Sequence, residues 1–84
     1  MGNRLWRQIY PAILTRAMVL NGQLIFNGLD RQLRAIDADS GKLLWQRQLP
    51  GPLVTDLRHQ RGLLLAALES GCVWVLISDS GELQ

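Results

Sequence analysis

The 84 residues include one cysteine, one histidine, one tyrosine and one phenylalanine. With Cys72 alone, no disulfide can form within the chain, and Cys72 with His59 makes no metal cluster of recognisable spacing. Each has a plain structural reading. Cys72 opens an apolar run and reads as a small buried core residue, neither nucleophile nor ligand. His59 follows Arg58 in an edge or connecting segment and reads as a solvated polar residue. Asp37 and Asp39 flank a turn, where backbone hydrogen bonding accounts for them better than acid–base chemistry. These readings leave no catalytic, cofactor-binding or metal-binding residue to nominate.

Other absences narrow the class further. No apolar run approaches the roughly 20 residues that a helical membrane span needs. Nine basic and seven acidic residues give a net charge of +2 and are scattered singly. Without a basic stripe interleaved with aromatics, nucleic acid is not an expected partner. Trp6 to Tyr10 lacks the apolar core of a signal peptide, so a chain complete as it stands is expected in the cytoplasm. Nearly half of the residues are hydrophobic (48%) and 19% are charged, a globular balance. A chain of this size buries only about 60% of its extended surface, which leaves little stability without neighbours.

What the sequence does contain is a repeat. Gly2, Leu5, Trp6, Pro11 and Leu14 recur 39 residues later as Gly41, Leu44, Trp45, Pro50 and Leu53. At an offset of 40, Gly22, Leu24, Ile25, Leu33, Asp39, Ser40, Gly41 and Leu43 match Gly62, Leu64, Leu65, Val73, Asp79, Ser80, Gly81 and Leu83. A period near 40 residues fits four-stranded propeller blades, with helical repeats as the competitor.

Local patterns favour strands. Ala17–Leu20 and Gln23–Phe26 flank Asn21-Gly22, a strong two-residue hairpin signal. Leu33–Asp37 ends at the turn cluster Asp39-Ser40-Gly41. Lys42–Leu49 stops at Pro50-Gly51-Pro52, which breaks a helix and ends a strand. Leu63–Leu68 and Cys72–Ile77 are nearly continuous apolar runs around Glu69-Ser70-Gly71, too short for helices but suited to strands covered on both faces. The expectation is roughly eight short antiparallel strands and no helix. Trp74, out of phase with Trp6 and Trp45, is expected between blades.

The segment Ala35-Ile-Asp37-Ala-Asp-Ser40-Gly41-Lys42-Leu-Leu-Trp45 resembles the tryptophan-docking motif of the bacterial quinoprotein-like (PQQ-like) β-propeller repeat family. That motif is Ala-x-Asp-x-x-Thr/Ser-Gly-Lys/Glu-x-x-Trp. Ala35, Asp37, Ser40, Gly41, Lys42 and Trp45 fit without mismatch, and parts of the motif recur around Trp6 and Gly81. The third copy departs at Val75 and Ile77. The resemblance implies an all-β chain of two four-stranded antiparallel blades in an incomplete propeller. It implies that Trp45 and Trp6 pack on the neighbouring blade while Asp37 and Gly41 shape the turn. The organisation implied is an outer strand of a preceding blade over residues 1–10, blade one over 11–49 and a truncated blade two over 50–84.

Two such units cannot close a ring of about four to eight blades. The leading expectation is therefore a piece of a larger propeller protein whose partners are its missing blades or another protein. The alternative is a head-to-tail homo-oligomer of about four copies, in which the N-terminal strand completes the last blade of the preceding copy. Arg4, Arg7, Arg16, Arg31 and Arg34 fall in the first 34 residues while Glu69, Asp79 and Glu82 fall near the end, an asymmetry compatible with that contact. The family includes propeller lipoproteins of the outer-membrane barrel-assembly machinery, so the resemblance implies a non-enzymatic interaction scaffold, exported to the cell envelope. A sensory propeller is not separated from it by these residues. A quinoprotein dehydrogenase using PQQ and calcium is the enzymatic alternative. It lacks support from an adjacent cysteine pair, and Glu69 or Glu82 alone makes no calcium site.

Overall fold

The computed structural model describes residues 6–13 and 16–84. Gly2, Arg4, Leu5 and Leu14, which enter the repeat and charge arguments above, lie outside the described residues.

The hairpin signal forms where the sequence places it. Strand β1 (Met18–Leu20) turns through Asn21 and Gly22, with φ of 49° and 76°, into β2 (Gln23–Asn27). Both turn residues occupy the left-handed region that a two-residue hairpin requires. Strands β3 (Gln32–Asp37) and β4 (Leu43–Gln48) follow, and the four form one antiparallel sheet in the order β1-β2-β3-β4. This sheet is blade one.

The pattern then repeats. Strand β5 (Arg58–Gln60) turns at Arg61-Gly62 into β6 (Leu63–Ala67), and β7 (Val73–Ile77) completes a three-stranded sheet in the order β5-β6-β7. This is blade two. Where a fourth strand was expected, Leu83 makes only an isolated bridge to Leu76. The secondary structure of the described residues is entirely strand and turn.

Register explains the burial. Gln23↔Asp37, Ile25↔Ala35 and Asn27↔Leu33 are opposed pairs on one face of blade one. On blade two, Leu64↔Leu76 and Ala66↔Trp74 share a face. These two faces meet. Ile25, Leu33, Ala35, Trp45 and Leu49 pack with Leu57, Leu64, Ala66, Leu68 and Leu76 in a single core, and half-buried Trp74 packs against it. The core lies between the sheets, so neither sheet has a core of its own. A shift in register between Ala35 and Ile36 leaves Leu44 as an extra residue on β4. The bulge breaks the inward–outward alternation, which is why Leu43 and Leu44 are both exposed while Trp45 is buried.

Cys72 is exposed, contrary to the buried position expected of it. Pairing in β7 begins only at Val73, and Cys72 sits in the turn closed by the Leu68 N–H donating to its carbonyl at 2.8 Å. At the margin of the sheet its side chain misses the core. His59 is exposed on edge strand β5, where Nε2 accepts from the Gly62 N–H at 3.3 Å.

Candidate functional site: the tryptophan dock between blades

The motif residues converge on the turn after β3. The Asp37 N–H donates to the Lys42 carbonyl and the Gly41 N–H donates to the Asp37 carbonyl, both at 2.8 Å. Asp37 Oδ1 accepts from the Asp39 N–H at 2.9 Å, and Ser40 Oγ accepts from the Lys42 N–H at 3.2 Å. Two short polar side chains thus satisfy turn amides that no strand partner reaches. Ala35 is buried opposite Trp45 in the β3–β4 ladder, and the Lys42 side chain is exposed.

Blade two builds the same turn from different side chains. The Ile77 N–H donates to the Glu82 carbonyl at 2.8 Å and the Gly81 N–H to the Ile77 carbonyl at 2.7 Å. Ser80 Oγ accepts from the Glu82 N–H at 3.2 Å. Ile77 stands where blade one has Asp37, so the carboxylate is dispensable for the backbone shape. What the two turns share is the serine and the glycine.

Each glycine receives a tryptophan from the repeat before it. Trp45 donates from Nε1 to the Ser78 carbonyl at 2.9 Å, and its ring lies on Gly81. A Cβ on Gly81 would fall 2.7 Å from Trp45 Cδ2 and 2.9 Å from Cζ3. Trp6 repeats the arrangement one step earlier. Its Nε1 donates to the Ala38 carbonyl at 2.8 Å, and a Cβ on Gly41 would fall 2.6 Å from its Cε3. With φ of 77° at Gly41 and 75° at Gly81, glycine is required for conformation and for ring approach alike.

One further position belongs to the dock and is absent from the motif. Two residues after each tryptophan, Arg47 Nε donates to the Gly81 carbonyl at 2.9 Å and Gln8 Nε2 donates to the Gly41 carbonyl at 3.4 Å. The signal was available in the repeat, since both equivalent positions carry a long side chain with a nitrogen donor. The turn thus accepts an indole ring on its glycine and a donor on each of two carbonyls.

The segment carrying Trp6 is held at a second point. Tyr10 packs on Phe26 with ring centroids 5.2 Å apart, and the Arg34 guanidinium lies 5.1 Å above the Tyr10 ring. Arg34 also pairs with Asp30 at 2.7 Å, and this hydrogen-bonded guanidinium holds the Asp30 carboxyl below the usual carboxylate range. Tyr10 occupies the repeat position of Leu49, the residue that enters the core between the two blades.

This dock, carried in register on successive repeats, decides the architecture. The family described as outer membrane protein assembly factor BamB matches residues 1–84. The chain belongs to this PQQ-like propeller family. The crystal structure of BamB from Moraxella catarrhalis aligns with a TM-score of 0.75 and 17% identity, over 87% of this chain and 23% of that one. At that identity the likeness is one of fold. The chain spans less than a quarter of that BamB structure, a share in keeping with two blades. No curated protein matches the chain.

Among the described residues no three His, Cys, Asp or Glu side chains gather as a metal site would require.

Proposed function

We propose that this chain is a non-enzymatic unit of a propeller that acts as a protein-interaction scaffold, with outer-membrane protein assembly as the setting that the family name suggests. The observation carrying this reading is the use made of the motif. Trp45, Gly81 and Arg47 join blade to blade, while Asp37, Ser40 and Gly41 hold a turn. Binding then falls to loops and edges. Exposed apolar side chains support this: Ile13, Leu29 and Val54 are all more than half exposed, Ile13 in the segment before β1 and the other two in connections between strands. Ile13 bridges Gly28, and the Leu29 N–H donates to the Ala12 carbonyl at 2.7 Å, so the segment before β1 and the β2–β3 connection form a joint rim. Large apolar side chains grouped on loops are suited to anchoring a partner.

The test is a binding assay between the full chain and purified soluble domains of an outer-membrane assembly machinery. Leu29→Glu and Val54→Glu should each weaken binding at least tenfold with unchanged circular dichroism, whereas Asp37→Ala should affect folding first. Binding untouched by both rim variants would refute the reading. A redox activity lost in a stably folded Asp37→Ala variant would count for the dehydrogenase alternative.

A further inference from the structure

The same reactive dipeptide occurs twice in blade one, as Asn21-Gly22 and Asn27-Gly28. In an Asn-Gly pair the glycine nitrogen carries no bulky neighbour and can attack the asparagine amide, so an unfolded chain reacts at both. The fold separates the two.

Asn27 is 1% exposed at the end of β2. The Gly28 N–H donates to the Gln32 carbonyl at 3.1 Å. Gly28 is buried as well, and a Cβ there would fall 2.9 Å from Asp30 Oδ1 and 3.2 Å from Arg34 Nη1. Its nitrogen is engaged, and the buried Asn27 amide has little room to turn onto it.

Asn21 and Gly22 are exposed at the tip of the β1–β2 hairpin, and nothing lies within 4 Å of a Cβ on Gly22. The matching turn of blade two is guarded. There Arg61 replaces the asparagine, and the Gly62 N–H donates to His59 Nε2 at 3.3 Å. Val19 holds the repeat position of His59, so that acceptor is missing beside Gly22.

We infer that Asn21 is a site of spontaneous modification by water, converting to aspartate and isoaspartate, while the fold keeps Asn27 inert. Base removes the Gly22 amide proton, and the nitrogen attacks Asn21 Cγ. The N–Cγ bond forms, the Cγ–Nδ2 bond breaks, and the amide takes up a proton and leaves as ammonia. Water then opens the cyclic imide at Cγ, giving aspartate, or at the Asn21 main-chain carbonyl, giving isoaspartate. Ring closure turns the Asn21–Gly22 peptide, which the Ala38 N–H resists by donating to the Gly22 carbonyl at 2.8 Å. Opening there is local, because β1 is a three-residue edge strand.

The isoaspartate product reaches the tryptophan dock. It routes the main chain through the side-chain carbons and adds an atom to a two-residue turn whose length sets the hairpin register. The Gly22 carbonyl then leaves the Ala38 N–H, and the Ala38 carbonyl is the acceptor of Trp6 Nε1 at 2.8 Å.

The experiment incubates the full chain in mildly alkaline buffer, folded and in urea. Fragment-ion mass spectrometry of the tryptic peptide Ala17–Arg31, which holds both asparagines, reads each conversion, and an isoaspartate-specific methyl-transfer assay identifies the product. In the folded chain Asn21 should convert and Asn27 should lag at least about tenfold, whereas urea should bring the two to comparable rates. Asn21→Arg, which copies the turn of blade two, should keep its circular dichroism and show no conversion at that position. An Asn21 that stays intact in the folded chain, or converts no faster than Asn27, would overturn the inference. The purified isoaspartate form should melt below Asn21→Asp, which has the same charge on a normal backbone. Equal melting temperatures would overturn the link to the Trp6 dock.

Discussion

Gln23, Ile25, Asn27, Leu33, Ala35 and Asp37 of blade one hold the same repeat positions as Leu63, Leu65, Ala67, Val73, Val75 and Ile77 of blade two. In blade one these positions are buried or nearly so: Gln23 is 7% exposed, Asn27 1% and Ile25 0%. In blade two none of the six is fully buried. Yet the covered face is the more polar. It holds two amides, and Gln23 Oε1 and Asn27 Oδ1 find no hydrogen-bond partner in the structure. Side-chain polarity therefore does not mark which face of a blade is covered. On blade one, cover comes with the Trp45 ring lying on Gly81 and with the apolar positions packed around it.

The comparison can be broken most severely at the turn itself. Gly81→Ala forces both a left-handed alanine and a shift of the Trp45 ring, and should cost about 3–4 kcal/mol in urea unfolding. Gly22→Ala, at φ 76° but with no atom within 4 Å of its Cβ, carries only the conformational part, about 1 kcal/mol. Equal costs would mean that ring contact is immaterial. A second pair contrasts the two faces directly. Ile25→Ala empties a buried site and should destabilise the single chain by about 3 kcal/mol, while Leu65→Ala at the equivalent half-exposed site should cost about 1 kcal/mol.

Smaller effects sharpen the account. Arg47→Met keeps the aliphatic stem but removes the hydrogen bond to the Gly81 carbonyl, and should lower stability by about 1 kcal/mol. The weakest effect lies at the opposite end of the molecule. Because Arg34 lowers the Asp30 carboxyl, its contribution is present above the usual aspartate range near pH 4 and is lost as pH falls through the lowered value. Asp30→Asn should lower thermal stability slightly near pH 7 and remove the small acid-side decline, so that the variant and the wild-type chain converge at low pH.

Much of this architecture is legible in the sequence. Asn21-Gly22, the Asp39-Ser40-Gly41 turn and the forty-residue offset each act locally, so the hairpins and their order follow from short segments. Three features escape such a reading because they depend on geometry between segments. The bulge at Leu44 inverts the expected alternation of β4. Cys72 looks like the start of an apolar strand, but pairing begins one residue later and leaves it outside. Arg47 and Gln8 read as ordinary polar strand residues until the glycine carbonyl of the next blade is in view. Ile77 illustrates the reverse limit: the motif lacks its aspartate there, and the turn forms regardless because backbone hydrogen bonds and Gly81 carry it.

The central claim is that the Trp45 ring on Gly81 couples the two blades, and a double-mutant cycle tests it most directly. Urea unfolding would be measured for the wild-type chain, Trp45→Leu, Gly81→Ala and the double variant. If the ring is what the added methyl displaces, Gly81→Ala should cost in the Trp45→Leu background only the roughly 1 kcal/mol expected at Gly22, giving a coupling of about 2–3 kcal/mol. Additive costs, with Gly81→Ala equally damaging whether or not the indole is present, would contradict the claim.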